Sequence, residues 1–246
     1  MKAFNANIVK KDLIMWIKGF FSNFAGNTNA VIAVSGGKDS SIVAALCVEA
    51  LGKERVKAIL LPQHNQHDIA HSIELVEFLD IEYKIVNIGP TVDSIVEEMN
   101  KSGIYPTEQA LMNVAARVRM TETYFYAQCV NGIPSCNCNL SENWIGWSTY
   151  GGDGLGSFAP LSNLTVNEVK LIGKELRLPE HLINKTPLDG LCGKTDEESF
   201  GFTYDVLDKY IRTGEIDDLV IKEKIDTMHQ KNLFKTQPIA QFEYAP

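Results

Sequence analysis

The clearest chemistry in the sequence lies in a short run of small and charged residues, SGGKDSS, at positions 35–41, which follows the apolar stretch AVIAV. Where a strand turns into a helix, backbone N–H groups converge on an anion, and glycines let the turn curl closely. Asp39 would repel a bare phosphate, but it can hold a magnesium ion that the phosphates share. The turn therefore predicts a phosphate site with a metal ion. A strand-to-helix turn that binds nothing stays an alternative.

Alternating strand and helix patterns surround this turn and would position it. Strands are predicted at residues 31–34, 56–62 and 82–88, with a weaker one at 132–137. Helices are predicted near the N-terminus and at about 40–51, 67–79, 106–130, 164–176, 203–212 and 217–231. This alternation is typical of an α/β fold with a doubly wound, mostly parallel sheet and helices on both faces. Because no repeat or linker interrupts it, residues 1–246 are predicted to form one domain, with a mobile polar lid at about 187–200.

Composition narrows the classes of partner. The 246 residues carry a formal net charge of −8, which disfavours a broad nucleic-acid surface. No apolar run is long enough to cross a membrane, and lysines interrupt the apolar N-terminal stretch, unlike a secretory signal. We therefore expect a cytoplasmic protein that binds neither nucleic acid nor membrane, and that binds phosphates locally through backbone amides and a few cations.

Several motifs, in order along nearly the whole chain, carry a resemblance to a known family. SGGKDS resembles the pyrophosphate-binding loop of the N-type ATP pyrophosphatases, which share the adenine nucleotide alpha hydrolase-like fold. NVAARVRM at 113–120 is similar to a helix of the ammonia-dependent NAD synthetases within that group. Further segments that resemble this family are NLSENWIGWSTYGGDG at 139–154, GKTDEESFGFTYDVLDKYI at 193–211 and FKTQPIAQF at 234–242.

The resemblance implies roles for individual residues. Lys38, Asp39 and Glu142 would be catalytic, and Asp39 and Glu142 would hold Mg²⁺. Arg117, Asp153 and Lys235 would bind deamido-NAD. ATP would lie against Ala33, Val34, Ser35, Gly36, Gly37, Lys38, Asp39, Ser40 and Ser41.

The resemblance also implies a reaction. A ligase of this family amidates nicotinic acid adenine dinucleotide (deamido-NAD) with ammonia and ATP, and NAD, AMP and pyrophosphate result through an acyl-adenylate. No segment resembles a glutaminase, so free ammonia is the expected nitrogen source. The resemblance further implies a homodimer.

The sequence departs from the family pattern at positions that usually contact a substrate, which are Asn137, Tyr150, Ser157, Val166, Leu188 and Phe234. Two alternatives therefore stay open. One is another ATP pyrophosphatase that amidates or adenylates a different substrate, such as a tRNA-modifying enzyme, although the acidic charge disfavours that one. The other is a relative that binds nucleotide without catalysis.

Overall fold

The computed structural model describes residues 4–66, 69–185 and 195–244. A parallel sheet of four strands lies at the centre of this described part. The strands are β1 (Asn29–Ala33), β2 (Val56–Leu60), β3 (Glu82–Ile85) and β4 (Gly132–Pro134). Their order across the sheet is β3, β2, β1, β4, so the chain steps outward twice and then returns to the other side of β1. The direction of this strand order reverses between β1 and β4. Open α/β sheets bind ligands outside the carboxyl ends of the strands at such a reversal.

Helices connect and flank the strands. They are α1 (Ala6–Phe20), α2 (Lys38–Leu51), α3 (Ile69–Phe78), α4 (Gly89–Lys101), α5 (Glu108–Cys129), α6 (Leu140–Ile145), α7 (Val166–Glu175), α8 (Glu180–Ile183), α9 (Asp196–Phe200), α10 (Tyr204–Thr213) and α11 (Leu219–Asn232). A π-helical turn, Phe21–Ala25, extends α1, and short 3₁₀ turns span Lys53–Arg55 and Leu233–Lys235. In the described ranges, none of these helices is both long and apolar enough to cross a bilayer.

The two faces of the sheet pack against different helices. Val56, Ala58 and Leu60 of β2 enter one core with residues of α1, α2 and α7. Ile59, between them, points the opposite way into a second core with residues of α4 and α5. Because neighbouring strand residues face opposite sides, an apolar run buried on both faces is typical of a parallel sheet. The predicted doubly wound α/β class is confirmed.

A third apolar cluster joins the C-terminal helices beside the sheet. Ile145 of α6, Phe200 of α9, Leu207 of α10 and Ile225 of α11 are all buried in it. This cluster fixes α6 and α9 relative to one another, and both helices carry side chains of the candidate active site.

The buried carboxylate of Asp208 ties three of these helices together. It accepts a hydrogen bond from the Ser141 hydroxyl of α6 and one of 2.8 Å from the Asn167 backbone N–H of α7. The Ser141 hydroxyl oxygen in turn accepts the Val166 N–H at 3.1 Å. The side chain of Asp208, on α10, thus satisfies buried donors on two neighbouring helices.

We expect Asp208→Ala to lower the free energy of unfolding by about 3 kcal/mol, because it leaves the Asn167 N–H and the Ser141 hydroxyl without their acceptor. Asp205→Ala is the matched control, since that exposed residue of the same helix accepts a hydrogen bond from the Asn167 side-chain amide at the surface. It should cost less than about 1 kcal/mol. Urea denaturation measures both values. Equal losses of unfolding free energy in the two variants would contradict a stabilising role for the hydrogen bonds that Asp208 accepts.

The structure differs from the sequence-based expectations in a few elements. The amphipathic helix α4 and the short helix α6 were not predicted. Part of the lid predicted at 187–200 is helical, because Thr195 and Glu198 form a capping box that begins α9 at Asp196. The rest of that prediction, 187–194, lies outside the described residues. Helix α2 begins at Lys38, two residues before the predicted start.

Candidate active site

The glycine turn after β1 is held in a curled shape by its own serines. Ser40 Oγ accepts the Ser35 N–H at 3.2 Å, and Ser35 Oγ accepts the Gly37 N–H at 3.3 Å. Gly36 has a φ of +71°, and a Cβ at this position would lie 2.8 Å from the Ser72 backbone nitrogen on α3. Only glycine combines this backbone conformation with so close an approach.

Helix α2 begins directly after this turn with its first amides open to a ligand. Gly37 is the N-cap, and no side chain of the described residues caps the helix there. The N-terminal amides and the helix dipole therefore face the turn and favour an anion. The predicted ATP-binding residues 33–41 comprise the end of β1, the glycine turn and the first residues of α2.

Asp39 and Glu142 are brought together across the reversal of the sheet. Asp39 lies in the first turn of α2, and Glu142 lies in the first turn of α6, which follows β4. Asn139 joins them: its side-chain amide donates to Asp39 Oδ1 at 3.1 Å, and its Oδ1 accepts the Glu142 N–H at 3.0 Å. The two carboxylates that the sequence predicts at one site therefore share an edge of the sheet.

Lys38 lies between these carboxylates. Its Nζ is 2.8 Å from Asp39 Oδ2 and 3.8 Å from Glu142 Oε1, and only 2% of the residue is exposed. Burial alone would lower the pKa of this ammonium group, but the charges of Asp39 and Glu142 outweigh burial and raise the pKa well above its usual value. Lys38 therefore stays charged and serves both acids as a counterion.

The raised pKa of Glu142 indicates that this site favours a cation. Burial and, after it, the neighbouring charge of Asp39 together raise the pKa of its carboxyl to about 8, against the opposing effect of Lys38. Two acids held this close in a mostly buried place repel each other, so a cation between them stabilises the ionised pair.

The donor set fits magnesium. Mg²⁺ is usually held by one or two carboxylates, with water and substrate phosphates as its other ligands. Asp39 and Glu142 both approach the Lys38 ammonium, which shows that they can share one cation beside the glycine turn. In the described ranges, no group of three or more His, Cys, Asp or Glu side chains is placed to hold a metal ion. The other ligands of a magnesium ion held by these two acids would be water or oxygens of a bound substrate.

The residues predicted to bind deamido-NAD meet around the loop at 146–153. Arg117 donates from Nε and Nη2 to the Tyr150 carbonyl oxygen, both at 3.3 Å. Lys235 Nζ donates to the carbonyl oxygens of Gly146 and Ser148 at 2.8 and 2.9 Å. Asp153 Oδ1 accepts the Thr149 N–H at 2.8 Å. The structure thus brings Arg117, Asp153 and Lys235 to one loop, which follows α6 and its Glu142.

Asp196 and Tyr204 lie at the site and were not predicted from the sequence. Asp196 is buried and accepts a hydrogen bond of 3.0 Å from the Tyr204 hydroxyl, and its charge contributes to raising the pKa of Lys38. The Tyr204 ring centroid lies 5.7 Å from Lys38 Nζ. The run Asp-Glu-Glu at 196–198 reads as a solvated surface, so the sequence gives no sign that its first member is buried.

Asn139 was also missed, although a signal for it exists. Asn139 and Glu142 form a reciprocal capping box, the same pattern that the sequence shows at Thr165 and Glu168. That pattern would have predicted α6 and placed Asn139 beside Glu142.

The positions that depart from the family pattern have structural partners here. Asn137 donates to the Ala33 carbonyl oxygen at 3.2 Å and so links the segment after β4 to β1. Val166 is buried in the C-terminal cluster. The rings of Tyr150 and Phe234 contact each other, with centroids 5.5 Å apart. Leu188 lies outside the described residues.

A family model described as NAD synthase matches residues 9–243 of the chain. The chain belongs to the NAD synthase family. The NH(3)-dependent NAD(+) synthetase of Pyrococcus horikoshii is 38% identical over 201 residues, which are 81% of this chain and 77% of that relative. That of Finegoldia magna is 31% identical over 230 residues, which are 92% of this chain and 94% of that relative. The family that the sequence motifs indicate is confirmed, and with it a ligase that forms a carbon–nitrogen bond.

Solved structures resemble the chain over almost its whole length. The NMN synthetase of Francisella tularensis superimposes with a TM-score of 0.91 at 30% identity and covers 98% of this chain and 100% of that one. The NH3-dependent NAD synthetase of Campylobacter jejuni superimposes with a TM-score of 0.79 at 29% identity, with the same coverage. Both neighbours support the α/β fold of the NAD synthase family. The two neighbours differ in the nucleotide for which they are named, NMN in one and NAD in the other.

Proposed function

We propose that this member of the NAD synthase family amidates deamido-NAD with ammonia, using ATP, to give NAD, AMP and pyrophosphate. The observation that carries the proposal is that Asp39 and Glu142 both approach one cation, the Lys38 ammonium group, beside the uncapped N-terminus of α2. The family membership and the curated NH(3)-dependent NAD(+) synthetases among its relatives support the same reaction.

The chemistry requires activation of a carboxylate. A carboxylate is a poor acyl donor, because its leaving group would be oxide. Attack of the substrate carboxylate on the α-phosphorus of ATP forms an acyl-adenylate and releases pyrophosphate. Ammonia then attacks the acyl carbon, and AMP leaves with the bond electrons.

The chain's own groups would assist these steps at defined places. The backbone amides of residues 36–39 would bind the leaving pyrophosphate, whose negative charge grows as the bond to the α-phosphorus breaks. Asp39 and Glu142 would hold Mg²⁺, which neutralises phosphate charge when it is bound. Arg117, Asp153 and Lys235 would orient the second substrate from the loop at 146–153.

A second candidate substrate has support from the neighbouring structure. The Francisella tularensis protein, which superimposes with the higher TM-score of the two neighbours, is named an NMN synthetase. Nicotinic acid mononucleotide presents the same carboxylate to the acyl-transfer centre as deamido-NAD, but it lacks the adenylyl half. Its amidation to NMN would use the same residues for ATP cleavage.

Pyrophosphate release separates these possibilities. We expect sustained release only when Mg²⁺, ATP, ammonia and deamido-NAD are all present. Pyrophosphate leaves when the adenylate forms on the substrate carboxylate, and ammonia must then remove the acyl group before the next turnover, so release without ammonia should stop after a single turnover. A coupled pyrophosphatase assay should be run with deamido-NAD and with nicotinic acid mononucleotide, and chromatography should identify the product. At least tenfold higher kcat/KM for the mononucleotide would replace the first candidate by the second. ATP binding without turnover on either compound would contradict both and favour the non-catalytic alternative.

The homodimer is a proposal drawn from the family resemblance, and the cytoplasmic location is one drawn from the sequence pattern. Light scattering coupled to size-exclusion chromatography tests the dimer directly, with a mass of twice 27.3 kDa as the expected result.

A further inference from the structure

The side chain of Lys38 contacts the two acids of the candidate active site. Its backbone is the first residue of α2, yet its Nζ lies on Asp39 Oδ2, 2.8 Å away, with Glu142 Oε1 at 3.8 Å. Both acids are the candidate magnesium ligands. The ammonium group therefore lies where the two carboxylates would share a divalent cation.

Three buried or largely buried acids surround this one positive charge. Asp39 and Glu142 make ion pairs with it, and Asp196 adds an attractive charge from α9. The Tyr204 ring covers the ammonium group, at 5.7 Å from the ring centroid. Removal of the lysine charge would leave the acids uncompensated in a place that is mostly shut off from water, which is strongly unfavourable.

We propose that Lys38 is a built-in counter-cation that keeps divalent metal off Asp39 and Glu142 until the phosphates of a nucleotide draw its ammonium group away. The inference rests on the proposed function only in taking Asp39 and Glu142 as the metal ligands. A divalent ion that entered beside the ammonium group would meet a like charge at short range, which disfavours its binding. Nucleotide phosphates bound at the turn supply new negative charge next to the Lys38 backbone, so the lysine can exchange partners.

Two consequences follow. The protein without nucleotide binds divalent metal weakly, and metal and nucleotide bind cooperatively. Since such coupling is reciprocal, the metal raises the affinity for nucleotide by the same factor as the nucleotide raises the affinity for metal.

Lys38→Met tests the proposal, because methionine fills a similar volume without charge. Mn²⁺ is the probe, and electron paramagnetic resonance measures its free concentration in titrations of the wild type and the variant. Without nucleotide, the variant should bind Mn²⁺ at least tenfold more tightly than the wild type. With α,β-methylene-ATP, an analogue that resists cleavage between its α- and β-phosphates, the difference should shrink or reverse.

Two further variants serve as controls. Lys53→Met removes an exposed lysine that pairs with Asp80, and it should leave Mn²⁺ binding unchanged. The double variant Lys38→Met with Asp39→Asn should bind Mn²⁺ less tightly than Lys38→Met, because asparagine replaces one of the two acids that would hold the metal. Equal or weaker Mn²⁺ binding by Lys38→Met would overturn the proposal.

The wild type provides a second measurement if Lys38→Met does not fold. Mg²⁺ alone should leave its Tm unchanged, whereas Mg²⁺ together with α,β-methylene-ATP should raise the Tm above the effect of the analogue alone. A clear rise with Mg²⁺ alone would overturn the proposal. None of these measurements requires turnover, so a protein that fails the amidation assay can still confirm the role of Lys38.

Discussion

Asp39→Asn should lower kcat about a thousandfold while the fold remains intact. The variant removes one of the two carboxylates available to a divalent cation, and the charge of the leaving pyrophosphate then goes largely unneutralised. Loss of a group that stabilises transition-state charge typically costs 10²–10³ in kcat, and a metal ion contributes at least as much. The fold should survive because Asn keeps an oxygen that can accept the Asn139 amide now bound to Asp39 Oδ1.

The measurement is steady-state pyrophosphate release at saturating ATP and second substrate, with circular dichroism melting as the check on folding. Asp80→Asn is the control. Asp80 is an exposed acid that pairs with Lys53 outside the glycine turn, so this variant should leave kcat unchanged. A fully active Asp39→Asn enzyme would remove Asp39 from the metal site and leave the proposed mechanism without its main support.

Gly36→Ala should both destabilise the protein and weaken nucleotide binding. The positive φ of +71° costs an L-residue about 1–2 kcal/mol, and the added Cβ would lie 2.8 Å from the Ser72 nitrogen and 3.0 Å from His71 Cβ. Relief of this contact requires the turn and α3 to move apart. We expect a total loss of about 3 kcal/mol in the free energy of unfolding and at least tenfold weaker binding of α,β-methylene-ATP.

Gly52→Ala separates backbone strain from contact. Gly52 has a φ of +83°, and a Cβ there would have no heavy atom of the described residues within 4 Å. Its φ of +83° with a ψ of 150° lies in a region that is almost restricted to glycine, so this control should lose about 1–3 kcal/mol and keep its nucleotide affinity. Urea denaturation and calorimetric titration measure the two quantities. The same nucleotide affinity in Gly36→Ala as in the wild type would show that the turn does not carry the phosphates.

The sequence predicts the framework of the site well because the framework depends on local signals. An apolar run followed by two glycines predicts β1, the turn and α2, and the structure has all three. The pairing of Asp39 with Glu142 follows from a general property of parallel sheets, since ligand-binding loops gather at the carboxyl edge. Thr165 and Glu168 predict the start of α7 through their capping box, and the structure confirms it.

The parts that the sequence does not predict depend on contacts between distant segments. The direction of the Lys38 side chain depends on acids from α2, α6 and α9 together, so the sequence alone does not predict it. Asp196 lies in a run of charges that is solvated in most proteins, yet it is buried here and accepts a hydrogen bond from Tyr204. Helix α4 is a different case, because Val92, Ile95, Val96 and Met99 recur at helical spacing and give a local signal for it.

The hydrogen bond from Asn139 to Asp39 joins residues that are 100 positions apart in the chain. During synthesis, the glycine turn therefore leaves the ribosome long before the segment that brings Glu142. Pairings between such distant residues form late in folding, because a long loop must close first. An unfinished chain therefore lacks one of the two acids that we propose as metal ligands until its second half has been made.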